Sequence, residues 1–311
     1  MNLEELGWGE PFASALAASD PDAGAPARVV AVHRGRLVVA GPHGESFAVV
    51  AGRVPEHPTV GDWVVVDDHG VVNARLPRRG VLARAEQELA ANVDVAFVVT
   101  SANRDLNARR LERLVAVAAA GRCATVLVLN KADLVSDVEP TLAVVRGAAP
   151  GVPTIVASAH RGDGVDAVAA HLGRGRTGVL LGSSGVGKST LINALLGGDH
   201  QATAEIRAFD DRGRHTTSHR ALFELPDGAG LLIDTPGLRL PRMSADPVGV
   251  AVAFADVEQL AAACRFSDCR HDTEPGCAVQ AAIARGELDA ARLAHQRKLE
   301  GEQRWAAGRE R

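Results

Sequence analysis

The rhythm of apolar and polar positions changes twice along this chain of 311 residues. From Arg28 onward, short valine-rich runs (RVVAVHRG, RLVVAGP, SFAVVAGRV, DWVVVDD and GVVNARLPRR) are separated by Gly, Pro, Asp and His. Runs of β-branched residues bounded by turn formers predict strands. Five such strands packed between residues 28 and 85 predict a small closed barrel of the OB-fold type. Residues 1–27, rich in Ala, Asp, Pro and Gly, keep neither a helical nor a strand period and predict a flexible lead-in.

Over residues 86–245 apolar strands alternate with amphipathic helices. NVDVAFVVT, residues 92–100, is nearly continuous in apolar side chains, as a strand buried on both faces requires. LERLVAVAAA then places Leu111, Leu114, Val115 and Ala118 at helical spacing. ATVLVLN, PTIVAS and TGVLLG repeat the strand pattern and DGVDAVAAHL supplies another helix, so the segment predicts a doubly wound α/β domain. Residues 246–311 read as a helical unit whose apolar faces are thin.

Chemistry-bearing motifs fall at the strand ends of the α/β segment. GSSGVGKST comprises Gly182, Ser183, Ser184, Gly185, Val186, Gly187, Lys188, Ser189 and Thr190, and lies between a strand and a helix. It fits a phosphate-binding loop, in which the glycines allow a tight turn and backbone N–H groups surround a β-phosphate. Lys188 then reaches the β- and γ-phosphates and Ser189 ligates Mg²⁺. NKAD, with Asn130, Lys131, Ala132 and Asp133, follows an apolar strand. A carboxylate at Asp133 can accept from both the N1–H and the 2-amino group of guanine, a donor pair that adenine lacks. Ser158 and Ala159 stand where a short loop closes over the base from the other side.

Downstream, LLIDTPG ends a strand with Asp234, positioned to hold the Mg²⁺ shell through water, and with Gly237, whose N–H can meet the γ-phosphate. Between the two lies GRHTTSHR, where Thr216 and Thr217 are both candidates for the switch threonine on Mg²⁺, Thr217 slightly favoured. Lys188, Gly237 and His215 form the candidate catalytic set; for His215, packing or a partner contact is the alternative. Leu238 follows Gly237 where many GTPases place a water-positioning Gln, which predicts intrinsic hydrolysis that is slow or supplied with a catalytic group from elsewhere. The base motifs precede the phosphate loop, the reverse of the ordinary GTPase order, which predicts a circular permutation of the domain.

Three of the four cysteines crowd together near the C-terminus. Cys264, Cys269, His271 and Cys277 supply three thiolates and an imidazole, a complete tetrahedral set for one structural Zn²⁺ with no open position for catalysis. A formal net charge of −4 argues against indiscriminate coating of nucleic acid. The barrel segment nevertheless holds eight arginines (Arg28, Arg34, Arg36, Arg53, Arg75, Arg78, Arg79 and Arg84) against five acids. A nucleic-acid face and an ordinary solvated surface both fit that balance, while Trp63 and Phe47 read as core or rim residues. The terminal helix carries Arg292, Arg297, Lys298, Arg304, Arg309 and Arg311, for which RNA phosphate or plain solvation are both open. An acidic start and the lack of a long apolar stretch predict a cytoplasmic protein with no membrane segment.

Taken together, NKAD, GSSGVGKST and DTPG in permuted order, GRHTT, the Cys, Cys, His, Cys knuckle, and VGDWV and LPRR in the barrel closely resemble the RsgA (YjeQ/YloQ) family of bacterial small-subunit-dependent GTPases. The resemblance runs over nearly the whole chain. It implies an OB barrel, a permuted GTPase domain and a zinc domain. It further implies GTP hydrolysis stimulated by the 30S subunit, contact with 16S rRNA, and a role in late subunit maturation, with hydrolysis timing release. His215 falls on the family's switch histidine. Ser218 stands where the family's switch often has a third threonine, and the chain lacks tyrosine, including in its terminal helix. A monomer is expected.

Overall fold

The computed structural model describes residues 2–19, 24–33, 35–84, 87–103, 106–198, 220–234 and 246–309. His215, Thr216, Thr217 and Gly237 lie outside these residues, as do Ser218, Leu238 and Arg311.

Five strands form the barrel: β1 Ala25–His33, β2 Arg36–Gly41, β3 Gly44–Val50, β4 Trp63–Val66 and β5 Val71–Arg75. They pair in the order β1-β2-β3-β5-β4, and β4 closes onto β1. Val29, Leu37, Val39, Ala48, Val64 and Val72 fill the interior, as the valine-rich pattern requires. Trp63 is wholly buried, whereas Phe47 is 63% exposed beneath the Arg36 guanidinium.

The lead-in is more structured than its composition suggests. Residues 10–17 form α1 Glu10–Ala17, with Pro11 in the first turn, where its missing N–H costs nothing. Leu6 and Phe12 are buried, and Trp8 packs edge-on against Trp63 at 4.7 Å between ring centroids. The reason is tertiary: the aromatic partner lies some fifty residues downstream, so no local period announces it.

A hairpin of β6 Val81–Arg84 and β7 Gln87–Ala91 leads into the α/β domain. Its strands are β8 Val95–Ser101, β9 Ala124–Asn130, β10 Thr154–Val156, β11 Thr177–Leu181, β12 Ala221–Glu224 and β13 Leu231–Asp234. They lie in the order β10-β9-β8-β11-β13-β12, parallel except for β12. Every residue of β8 is buried, in keeping with its unbroken apolar run. The direction of travel reverses between β8 and β11, the topological switch point at which open α/β sheets bind ligands.

Helices α2 Ala108–Ala120 and α3 Glu139–Ala148 contribute to the core on one face of this sheet, α4 Val165–Ala169 and α5 Lys188–Leu195 to the core on the other. Leu111, Leu114 and Val115 on α2 are buried, each worth about 1.5–3 kcal/mol by leaving water. The helix expected over DGVDAVAAHL is only the short α4, whose start is set by Gly164 at φ 73°.

The C-terminal unit consists of α6 Val248–Ala253, α7 Ala255–Ala261, α8 Ala278–Ala284 and α9 Ala290–Arg309. Within the helical unit read over residues 246–311, the chain turns between α6 and α7 at the buried Phe254, which ends one helix and begins the next. Gly249 lets α6 lie against α2, for a Cβ there would stand 2.2 Å from the Ala116 carbonyl oxygen. No helix among the described residues is long and apolar enough to cross a membrane.

Candidate functional site

The phosphate loop and the NKAD loop emerge beside one another, from the ends of β11 and β9. Asn130 ties them together. Its amide donates from Nδ2 to the Val186 carbonyl at 3.0 Å and accepts at Oδ1 from the Ala159 N–H at 3.0 Å. One buried side chain thus sets the spacing of the phosphate loop, the NKAD loop and the Ser158–Ala159 loop. Gly187, with φ +94°, is the close approach that permits it, since a Cβ there would lie 2.4 Å from Asn130 Nδ2. Lys131, in the left-handed region at φ 60°, donates from Nζ to the Gly185 carbonyl at 2.6 Å. Val186 anchors the loop from below in the apolar core around α5.

Asp133 sits on a short 3-10 turn, Ala132–Leu134, and accepts from the Ser158 hydroxyl at 2.6 Å. That hydrogen bond holds its carboxyl below the ordinary range, so it stays an acceptor-only carboxylate at neutral pH. Lys188 opens α5 and donates to the Gly182 and Ser183 carbonyls, each at 2.8 Å. Burial lowers its pKa and the charge of Asp234, at the end of β13, opposes that. A partly desolvated ammonium held by neutral carbonyls favours an anionic partner. Ser184, Gly185, Ser189 and Thr190 are exposed beside it. One contact was not legible beforehand: Arg110, on α2, donates to the Ser183 hydroxyl at 2.8 Å. Nothing in the local pattern marks an arginine some seventy residues away as a neighbour of the loop.

The knuckle residues converge as their spacing suggested. Ligand atoms of Cys264, Cys269, His271 and Cys277 lie within 4.8 Å of one another. His271 Nδ1 is 3.6 Å from Cys264 Sγ and 3.5 Å from Cys277 Sγ, with the two sulfurs 3.9 Å apart. Tetrahedral bonds of about 2.0–2.3 Å place ligand atoms at about such separations, so the donor set fits zinc. Glu274 braces the loop by accepting from the Arg270 and Asp272 N–H groups, both at 2.9 Å. Cys277 also caps α8 through the Gln280 N–H.

The arginines, for which a nucleic-acid face and a solvated surface were both open, are in large part held by partners within the chain. Arg28 is fully buried, donating to the Gly61 and Asn92 carbonyls at 3.3 Å each and to Leu6, and burial lowers its pKa to about 10. Arg78 is held by Asp62 and Glu88, Arg75 by Glu56 and Arg79 by Asp94. Most of the barrel's described positive charge is therefore committed internally. In the terminal helix Arg292 is likewise buried: it pairs with Asp256 through two 2.7 Å contacts and with Glu112 of α2 at 2.9 Å. Glu112 also contacts His295, and Arg113 forks onto Glu302 at 2.6 and 2.7 Å. Arg297 pairs with Asp272 and Arg304 with Glu300.

A phosphate loop at the switch point of a doubly wound sheet, with a guanine-type base loop placed upstream of it in the chain and at its side in space, defines a circularly permuted GTPase. The RsgA GTPase family model matches residues 75–244. The small ribosomal subunit biogenesis GTPase RsgA of Opitutus terrae is 45% identical, covering 99% of this chain and 92% of its own. The protein of that name from Syntrophotalea carbinolica is 43% identical, covering 94% and 87%. The chain belongs to the RsgA GTPase family. Among solved structures, YjeQ from Thermotoga maritima aligns with a TM-score of 0.66 at 24% identity, covering 90% of this chain and 98% of that one. YloQ, described as a circularly permuted GTPase, aligns at 0.64 and 22% identity, covering 90% and 95%. These two carry the likeness of fold.

Proposed function

We propose that this protein hydrolyses GTP in the biogenesis of the small ribosomal subunit, binding 16S rRNA within the 30S particle and using hydrolysis to time its release. The bracket made by Asn130 carries the reading at atomic level, because it holds a base-selective carboxylate and a phosphate cradle in one rigid unit. Asp133 accepts from the guanine edge, Ser158 holds it in place, and Ala132 and Ala159 complete the base pocket. Gly182 to Thr190 surround the phosphates, and Lys188 neutralises charge that grows on the β–γ bridge as water attacks phosphorus and the bridging oxygen leaves with GDP. Ser189 and Asp234 are the described residues suited to Mg²⁺, which when bound offsets the phosphate charge. Thr216 or Thr217 completes that set, and Gly237 and His215 serve the γ-phosphate and the attacking water. The reading is of one cytoplasmic copy per particle, since a subunit precursor is asymmetric and cytoplasmic.

Steady-state hydrolysis of GTP and of ATP, alone and with 30S or 50S subunits, tests this. GTP turnover raised at least tenfold by 30S alone is the expected result. A GTP-binding protein that ignores 30S sinks the ribosomal assignment and leaves the guanine site standing.

We assign one structural Zn²⁺ to Cys264, Cys269, His271 and Cys277. Thin helices around a knuckle draw much of their stability from the metal, since structural sites bind with about 10–16 kcal/mol in isolated zinc fingers. Chelation is expected to melt α7 and α8 at a lower temperature than the GTPase domain, with metal analysis giving one zinc per chain beforehand. Equal melting with and without metal counts against the assignment.

A further inference from the structure

Between α2 and α9 the structure holds a cleft of about 300 Å³ lined by Arg109, Arg110, Arg113, His295 and Lys298. Ala291 and Ala294 form its wall on α9, where larger side chains would close it. Arg113 is neutralised by Glu302, and His295 faces Glu112. Among the described residues no carboxylate hydrogen-bonds or ion-pairs within 4.0 Å with Arg109, Arg110 or Lys298, and Lys298 feels Glu302 only through a longer-range charge interaction that Glu302 shares with Arg113. Arg109 and Lys298 are exposed at the mouth, and Arg110 reaches inward to Ser183 of the phosphate loop. This differs from the barrel, where Arg28, Arg75, Arg78 and Arg79 are tied up internally.

Guanidinium groups on one helix with an ammonium opposite suit phosphate oxygens, which planar forks engage through paired donors. Among the described lining residues there is no Phe, Tyr or Trp, and the one ring, His295, is buried and held by Glu112, so the cleft reads phosphate and not sequence. Its exposed mouth admits a polymer passing across it. We infer that this cleft is a subsite for the backbone phosphodiesters of RNA, and that its occupancy is reported to the nucleotide loop through Arg110. A phosphate oxygen offers a guanidinium an opposite charge and paired acceptors, which a neutral hydroxyl does not. RNA in the cleft therefore draws Arg110 from Ser183 and frees the loop hydroxyl. The inference rests on the 30S-linked reading above and gives it a physical contact between particle and active loop.

The test compares the parent chain with the double variant Arg109→Gln/Lys298→Gln, whose melting temperature serves as the folding control. Affinity for 30S subunits is measured across a salt series, with 30S-stimulated GTP turnover alongside. Loss of two phosphate contacts is expected to flatten the slope of log affinity against log salt by about 1.4–1.8. Affinity at low salt falls about tenfold or more, and stimulation falls with it. A second variant, Arg110→Gln, is expected to flatten the slope by about 0.7–0.9, as one lost contact does, yet to lose most of the stimulation even at subunit concentrations that saturate it; full stimulation at saturation overturns the reporting role of Arg110. A double variant matching the parent in slope and affinity overturns this inference alone, whereas a parent that ignores 30S removes the functional reading and this inference together. Calorimetry with sodium pyrophosphate, the nucleotide site filled by a non-hydrolysable GTP analogue, separates the sources. Heat seen in the parent and absent in the double variant, with an unchanged 30S slope, assigns the cleft to a free phosphate compound and overturns the RNA assignment.

Discussion

Arg292→Ala is expected to cost about 3–5 kcal/mol, because it leaves the buried Glu112 with His295 alone and Asp256 without its guanidinium. The guanidinium is 7% exposed and the Glu112 side chain 6%. Besides its two carboxylates, Arg292 donates to the Ala148 carbonyl at 3.0 Å and to the Ala253 carbonyl at 2.9 Å, and it lies 4.8 Å from the Phe254 ring centroid. Removing it orphans two carbonyls and strips Glu112 and Asp256 of their guanidinium. Asp256 is 26% exposed and water relieves part of its loss, so most of the penalty sits at Glu112. Hydrogen exchange across Ala108–Ala120 and Ala290–Arg309 reads the effect, and a loss below about 1 kcal/mol sinks the account. Replacing both Glu112 and Arg292 by apolar residues of similar size is expected to restore much of the stability, since a buried pair seldom repays its own desolvation.

Asp133→Asn is expected to lower GTP affinity about 100-fold or more, since hydrogen bonds to a charged group are worth about 1.5–3 kcal/mol each and two are affected. The amide keeps one acceptor for N1–H but presents a donor to the 2-amino group of guanine. Xanthine carries an oxygen at that position, so the variant is expected to prefer xanthosine triphosphate to GTP. Competition binding with GTP, ATP and xanthosine triphosphate measures this. A variant weakened equally toward all three excludes Asp133 from base reading. The Ser158 hydroxyl, now 2.6 Å from Asp133 Oδ1, can still donate to an amide oxygen, which favours a folded loop in the variant.

The parts of this molecule that were readable in the chain are those whose cause is local. Continuous apolar runs such as β8, helical spacing such as that of α2, and loops whose glycines and polar groups act within nine or so residues all declare themselves by neighbours in sequence. The knuckle belongs with them, because its four ligands lie within one short loop and a helix start. What was hidden is non-local. Trp8 and Phe12 look like isolated aromatics until Trp63 is placed beside them. Arg28, Arg78 and Arg292 carry the composition of a basic surface, yet each is held by partners that folding brings in from elsewhere. Arg110 meets Ser183 only because β8 and β11 lie side by side, a pairing that permutation conceals from anyone expecting the phosphate loop first.

The joint between barrel and GTPase sheet is itself made of strand pairing. β1 abuts β12 at Ala31 and Ala221, and β12 runs beside β13, which ends on Asp234. A fragment trimmed to the catalytic domain would therefore not end cleanly. It would open the Ala221 end of β12, the outer strand of the sheet, to pairing with a further copy of itself. The barrel, whatever it touches, also covers that end of the GTPase sheet's edge.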